Sequence, residues 1–245
     1  MRRFLFTLVV MALSAAPVRA AEPVDLLLVL AADVSRSVDA DKFKLQREGY
    51  AAAISDRRVL DAIAAGRNHR IAVMFLEWSG VGNQKVVIDW TPIDGPKAAQ
   101  GFGDRLIELS RSFADRTSIS GGIDFAVAQF EHAPFTAERH TIDVSGDGTN
   151  NAGRDVRQAR DEALVLGITI NGLVILSERP LPWNPEHTNP LGGLANYYRV
   201  NVAGGPGSFV LEAKDFNSFG QAIVKKMIAE IADATPPGEV TPSPQ

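Results

Sequence analysis

At 245 residues, 45% hydrophobic and 22% charged, the chain is long enough to bury a core of its own. Its 25 Lys and Arg face 29 Asp and Glu, a net charge of −4 with no basic run, which excludes the usual electrostatic footprint of a nucleic-acid or anionic-membrane binder. Cysteine is absent, so neither disulfides nor thiol chemistry contribute.

Residues 1–20 have the layout of a secretory signal peptide. Arg2 and Arg3 open it, Phe4–Ala16 is apolar, and Val18-Arg19-Ala20 supplies a small-x-small cleavage site, with the cut expected after Ala20. The apolar stretch is short for a membrane span, so no stable span is expected after cleavage, and the destination is the periplasm or the exterior. Removing Arg2, Arg3 and Arg19 leaves 22 basic against 29 acidic residues, a balance of −7.

The aliphatic run Val24–Ala32 predicts a parallel strand covered on both faces. Asp39 then fits the N-cap of a helix on which Phe43, Arg47, Tyr50 and Ile54 recur at helical spacing. Arg70–Glu77 is a second strand, and Lys85–Asp89, beyond the turn Gly80–Asn83, pairs with it as an antiparallel edge. Phe102, Leu106 and Leu109 mark a second helix; Ile119, Ile123, Ala126, Val127 and Phe130 mark a third. Strand Thr141–Val144, helix Asp155–Leu166, strand Ile168–Leu176, strand Phe209–Glu212 and helix Phe216–Ile231 follow. This alternation predicts an α/β fold over 21–233, doubly wound on a mostly parallel central sheet with one antiparallel edge strand and helices on both faces. Residues 177–207 interrupt it as an irregular insertion rich in Pro, Gly and Asn, with room for a short helix within Leu191–Val200. The Pro-rich tail, 234–245, is expected to be disordered.

Three segments carry the chemistry. Asp33-Val34-Ser35-Arg36-Ser37 ends the first strand and gathers one carboxylate and two hydroxyls on a tight turn. Thr117-Ser118 precedes the third helix, and Ser145-Gly146-Asp147-Gly148 follows the strand Thr141–Val144. Taken singly, Thr117 or Ser118 reads equally as an N-cap and Asp147 as a turn residue. Taken together, two follow strands and the third opens a helix expected on the same side of the sheet, so all three fall at the edge where open α/β sheets bind ligands, and all offer hard oxygen donors.

Asp33, Ser35, Ser37, Thr117 and Asp147 match, in chain order, the five positions of the metal-ion-dependent adhesion site of the von Willebrand factor A-type domain. The chain resembles that family well over 24–176 and loosely over 208–231. Within the superfamily it is most similar to a group of exported bacterial proteins, through Glu77-Trp78-Ser79-Gly80, Asp89-Trp90-Thr91 and Gly204-Gly205-Pro206-Gly207. The resemblance implies a Mg2+-type centre, with Mn2+ or Ca2+ as alternatives. Ser35, Ser37 and Thr117 would touch the ion through hydroxyls, and Asp33 and Asp147 would hold its waters. An open position would accept Asp or Glu from a protein partner. Two departures stand out: Gly146 where relatives carry a hydroxyl residue, and Asn150-Asn151 where they often carry an acid.

The insertion leaves its strand at the same end of the sheet, so Trp183, Asn184, Tyr197 and Tyr198 are candidates for partner contact, with local core capping as the alternative. His69, His132, His140 and His187 show no metal-ligand spacing and read as surface or core residues. Two rival functions remain: a domain in which metal only stabilises the loops, and a metal-dependent hydrolase using Asp33 as nucleophile. Against the second, Ser35 stands where phosphoryl-transfer enzymes of that design place another carboxylate, and neither a phosphate loop nor a nucleophile elbow is present. No catalytic residue is therefore assigned. Oligomeric state is not legible.

Overall fold

Residues 21–176, 181–182, 184–215 and 218–232 are described by a computed structural model. The expected leader, the Pro-rich tail and Trp183 lie outside the described residues. In chain order the elements are β1 (Glu22–Pro23), β2 (Leu27–Asp33), α1 (Ala40–Ile54), α2 (Arg57–Ala64), β3 (Ile71–Trp78), β4 (Gln84–Ile93), α3 (Pro96–Glu108), α4 (Ile119–Phe130), β5 (Phe135–Thr136), β6 (His140–Gly146), α5 (Val156–Val165), β7 (Ile168–Ile175), α6 (Pro185–Thr188), α7 (Leu194–Asn201), β8 (Val210–Ala213) and α8 (Phe219–Ala232).

Six strands form one sheet in the order β4-β3-β2-β6-β7-β8, parallel throughout except for β4, which runs antiparallel to β3 at the edge. The expected doubly wound α/β architecture is the one observed. A separate parallel pair joins β1 to β5. Besides that unexpected pair, three elements differ from expectation. Helix α2 is not among the expected elements, because its eight residues are shorter than the window over which helical periodicity is read, although Val59 and Ile63 do fall on one buried face; its N-cap Asp56 accepts from Arg58 N. β4 runs on to Ile93, its register against β3 shifting around Phe75, and Pro92 is tolerated because β4 is an edge. The insertion holds α6 as well as the short helix expected there.

Successive β2 residues point to opposite faces, and both faces are covered. Leu28, Leu30 and Ala32 pack with Tyr50 and Ile54 of α1, Phe102 of α3, and Phe219 and Met227 of α8. Leu27, Val29 and Ala31 pack with Ile119 and Ile123 of α4, Ala159 of α5 and Tyr198 of α7. Double coverage explains an unbroken aliphatic run where a half-exposed strand would alternate. Each fully buried Leu contributes about 2 kcal/mol. One buried polar cluster lies in the α8 layer: Lys226 Nζ stands 2.8 Å from Asp143 Oδ1 of β6 and also pairs with Glu230, which accepts from Asn171 Nδ2 at 3.0 Å.

The sheet places the site. From β2 the chain proceeds to β3 on one side, while β6 lies on the other, so strand order reverses between β2 and β6. The carboxyl ends of these two strands are Asp33 and Gly146, at the crevice where such sheets receive ligands. No described helix is long and apolar enough to cross a membrane.

Candidate metal centre

The Asp33 turn is held from three directions. Asp33 Oδ1 accepts from Ser35 N at 2.7 Å, closing an Asx turn that swings Ser35 back over the strand end. Gln46 Nε2 of α1 donates to Asp33 O at 3.2 Å. Arg111, in the loop between α3 and α4, donates to the carbonyls of Val34 (2.5 Å), Ser35 (2.7 Å), Val38 (2.6 Å) and Phe113 (2.7 Å). That loop is itself tied down by Glu77 at the end of β3, which accepts from Ser112 N at 2.8 Å and from Arg47 Nη2 at 2.6 Å. The turn is therefore a fixed mould.

Two more segments close on it. Ser35 Oγ and Ser37 Oγ are 3.1 Å apart, and Ser37 Oγ donates to Asp147 Oδ1 at 2.5 Å, so the first strand's turn touches the loop after β6 directly. Ser118 is the N-cap of α4, accepting from Gly121 N at 3.2 Å, which frees the neighbouring Thr117 hydroxyl from that duty. Thr117 is clasped to the β6 loop: its N–H donates to Asn151 Oδ1 at 2.9 Å, and its carbonyl accepts from Asn151 N at 2.9 Å. Asn150 Oδ1 accepts from Ser120 N at 3.1 Å. Here is a structural use for the Asn150-Asn151 pair, since an amide side chain can staple two loops without adding charge.

Asp33, Ser35 and Asp147 are fully buried and Thr117 nearly so. Burial first, and then the neighbouring Asp147 carboxylate, push Asp33 up to about 8, against the hydrogen bonds from Ser35 and the charge of Arg111. Asp147 is also raised by burial, opposed by its bond from Ser37 and by Lys42. Asp33 Oδ2 and Asp147 Oδ2 are buried and accept no hydrogen bond from the described residues; Lys42 Nζ stands 3.7 Å from the latter. Two orphaned carboxylate oxygens beside three hydroxyls fit a hard divalent cation. Among the described residues no trio of His, Cys, Asp or Glu gathers to hold a metal, so this donor set is chiefly hydroxylic.

The family described as "Protein of unknown function (DUF1194)" has a profile that matches residues 23–235. The chain belongs to this family. Its backbone is similar to a von Willebrand factor type A structure from Catenulispora acidiphila (14% identity, TM-score 0.55, covering 85% of this chain and 43% of that one). It is also similar to proximal thread matrix protein 1 from the mussel byssus, in a form with a zinc-occupied metal-ion-dependent adhesion motif (14% identity, TM-score 0.59, covering 86% and 49%). A third likeness is to the pilus adhesin SpaC from Lactobacillus rhamnosus GG in an open conformation (12% identity, TM-score 0.60, covering 87% and 30%). The chain thus spans half or less of these solved chains, and the likeness establishes the von Willebrand factor A fold. Among curated proteins no sequence match is found.

Within this DUF1194 domain the insertion supplies a residue that sequence reasoning passed over. His187 of α6 is buried, and its Nε2 lies 3.2 Å from Thr117 Oγ1. Its Nδ1 is 3.2 Å from Thr149 Oγ1 and 3.4 Å from Asn151 Nδ2, and its carbonyl accepts from Thr149 N at 2.9 Å. Burial lowers the imidazole's pKa, against the pull of Asp147. Gly148 makes room: a Cβ there would overlap the His187 ring, 2.9 Å from Cδ2 and nearer still to Nε2 and Cε1. The only signal in the sequence was that Gly, followed by a histidine 39 residues later, a separation that no local pattern connects.

Tyr198 corrects an expectation. It is fully buried, its hydroxyl donates to Gly148 O at 3.3 Å, and it has no surface to offer a partner. It also accounts for Gly146, where a Cβ would stand 2.5 Å from Tyr198 Oη and 3.1 Å from Asp33 Oδ2. Tyr197 is half-buried, accepting from Asn150 N at 3.2 Å. Asn184 is exposed at the rim of a cavity of about 210 Å³ that opens over Ser37, Thr117 and His187, flanked by Arg36 and Arg116.

Proposed function

We propose that this domain is a metal-dependent protein-binding module, in which Asp33, Ser35, Ser37, Thr117 and Asp147 hold a divalent cation that receives a partner's carboxylate. The observation that carries the reading is the meeting of three distant segments around two buried carboxylate oxygens that accept no hydrogen bond from the described residues. The Ser35, Ser37 and Thr117 hydroxyls are the neutral contacts, and Asp33 and Asp147 position water around them. With so few direct anionic donors, the bound cation supplies net positive charge that attracts an incoming Asp or Glu. Arg36 and Arg116 at the cavity rim outnumber the one lining acid, Asp115, and favour the same charge. Mg2+ is the first candidate by donor hardness, with Mn2+ and Ca2+ next.

The experiment is calorimetric titration of the mature domain with Mg2+ and Mn2+, followed by binding of a carboxylate-bearing peptide with metal or chelator. Wild type is expected to take one equivalent of metal and to bind the peptide only when loaded. Asp33→Ala should keep its circular dichroism spectrum and lose both. Metal binding without any carboxylate capture from peptides or envelope extract would favour the purely structural role. Turnover of a generic phosphate ester, lost in Asp33→Ala, would favour the hydrolase.

A further inference from the structure

Six polar contacts join the insertion to the loops around the cluster, and His187 makes four of them. Ligands that are cis in an octahedron with bonds of about 2.1 Å stand about 3.0 Å apart. Ser35 Oγ and Ser37 Oγ are separated by 3.1 Å, and Thr117 Oγ1 and His187 Nε2 by 3.2 Å, so both pairs have the spacing of a coordination edge. A histidine that binds metal through one ring nitrogen has the other fixed by a side chain or carbonyl. Here Nδ1–H would donate to the Thr149 hydroxyl at 3.2 Å, which leaves the Nε2 lone pair for metal, while the Asn151 amide nitrogen, itself a donor, stands further off at 3.4 Å; the His187 carbonyl is pinned by Thr149 N, so the ring is oriented by the loop that carries Asp147. Gly148 leaves the ring free to approach.

We propose that His187 is a nitrogen donor of the metal centre, making it a mixed oxygen–nitrogen site that prefers a borderline ion such as Zn2+ to Mg2+. The proposal rests on the reading of the Asp33 cluster as a cation site and refines its ligand set. Imidazole suits Zn2+, whereas Mg2+ selects oxygen and water. Because His187 lines the cavity through which a partner's carboxylate would arrive, it also occupies a position that the partner must share or take.

The test compares wild type, His187→Ala, His187→Gln and Asp33→Ala by competitive titration with Zn2+ and Mg2+, with circular dichroism as the folding control. Wild type should prefer Zn2+. Both His187 variants should lose about tenfold or more in Zn2+ affinity while Mg2+ affinity stays within about twofold. Zinc-edge X-ray absorption at one equivalent of Zn2+ should show one imidazole in wild type and none in His187→Gln. The other histidines cannot supply it: His140 begins β6 at the opposite end of the sheet, His69 precedes β3 at that same end, and His132 follows α4. Zn2+ binding unchanged in both His187 variants but abolished in Asp33→Ala overturns the role of His187 and leaves the cation site standing. Failure of wild type to bind either metal overturns both. Should His187→Ala misfold, the absorption spectrum of wild type still decides, since an all-oxygen first shell refutes the proposal.

Discussion

Asp33 concentrates the physics of the centre. Its carboxyl is pushed up to about 8, mainly by burial, whereas an unfolded chain would release that proton near about 3.9. Between those values the folded protein holds a proton that the unfolded chain lacks, so without metal its stability should fall as pH rises from about 4 to about 8. Asp147, raised in the same direction, adds to the slope. Thermal melts in chelator from pH 5 to 8 should therefore show a declining Tm. Asp33→Asn should flatten that decline and raise Tm at pH 8 by a few degrees while abolishing the response to metal. A Tm that climbs across this range would contradict the burial account. Gly148→Ala is a second residue-scale prediction. Its Cβ should drive the His187 ring off Thr117 and lower the Zn2+ to Mg2+ affinity ratio as His187→Gln does, read by the same competitive titration. Arg111→Ala should cost about 2 kcal/mol in chemical denaturation and weaken metal binding, because the carbonyls of Val34, Ser35 and Val38 lose one shared charged donor.

Among the elements, α8 and β6 are joined by charge as well as by apolar packing. Burial raises Asp143 and pushes Glu230 up to about 7, both opposed by Lys226 between them. Lys226→Met should leave two buried carboxyls without a cation and destabilise the domain by about 3 kcal/mol. The triple replacement Lys226→Met, Asp143→Leu, Glu230→Leu should recover most of that in urea denaturation, since an apolar cluster of similar volume avoids the desolvation penalty. These residues lie in the α8 layer, away from the switch point, so metal affinity should change little in any variant that folds. The insertion behaves differently. α6 is four residues long, with the carbonyl and imidazole of His187 engaged by Thr149 and Thr117, so its place is set by the loops it touches more than by any helix propensity.

For the molecule as a whole, the two apolar layers either side of the sheet are complete without the metal centre, which sits at one end of it. Asp33→Ala should accordingly unfold in a single cooperative transition. Saturating cation should raise the Tm of wild type by several degrees and leave that variant unmoved; at a hundredfold excess over Kd the linkage amounts to about 2.7 kcal/mol. The strands of the main sheet and its antiparallel edge were legible beforehand, and the five oxygen-bearing positions could be singled out for the proposal, because their signals are short patterns in the chain. A doubly covered strand is a continuous aliphatic run, an amphipathic helix repeats every three or four residues, and Asp-x-Ser-x-Ser at a strand end announces itself within five positions. The hidden parts were those in which partners far apart in the chain meet. Arg111 under the Asp33 turn, Tyr198 filling the space beside Gly146, and His187 against Thr117 each join segments 50 or more residues apart. Periodicity carries no trace of such pairs, since a lone arginine, tyrosine or histidine has the same local signature on a surface as in a site. Folding of the sheet brings the strand ends together, and that convergence assigns those side chains their roles.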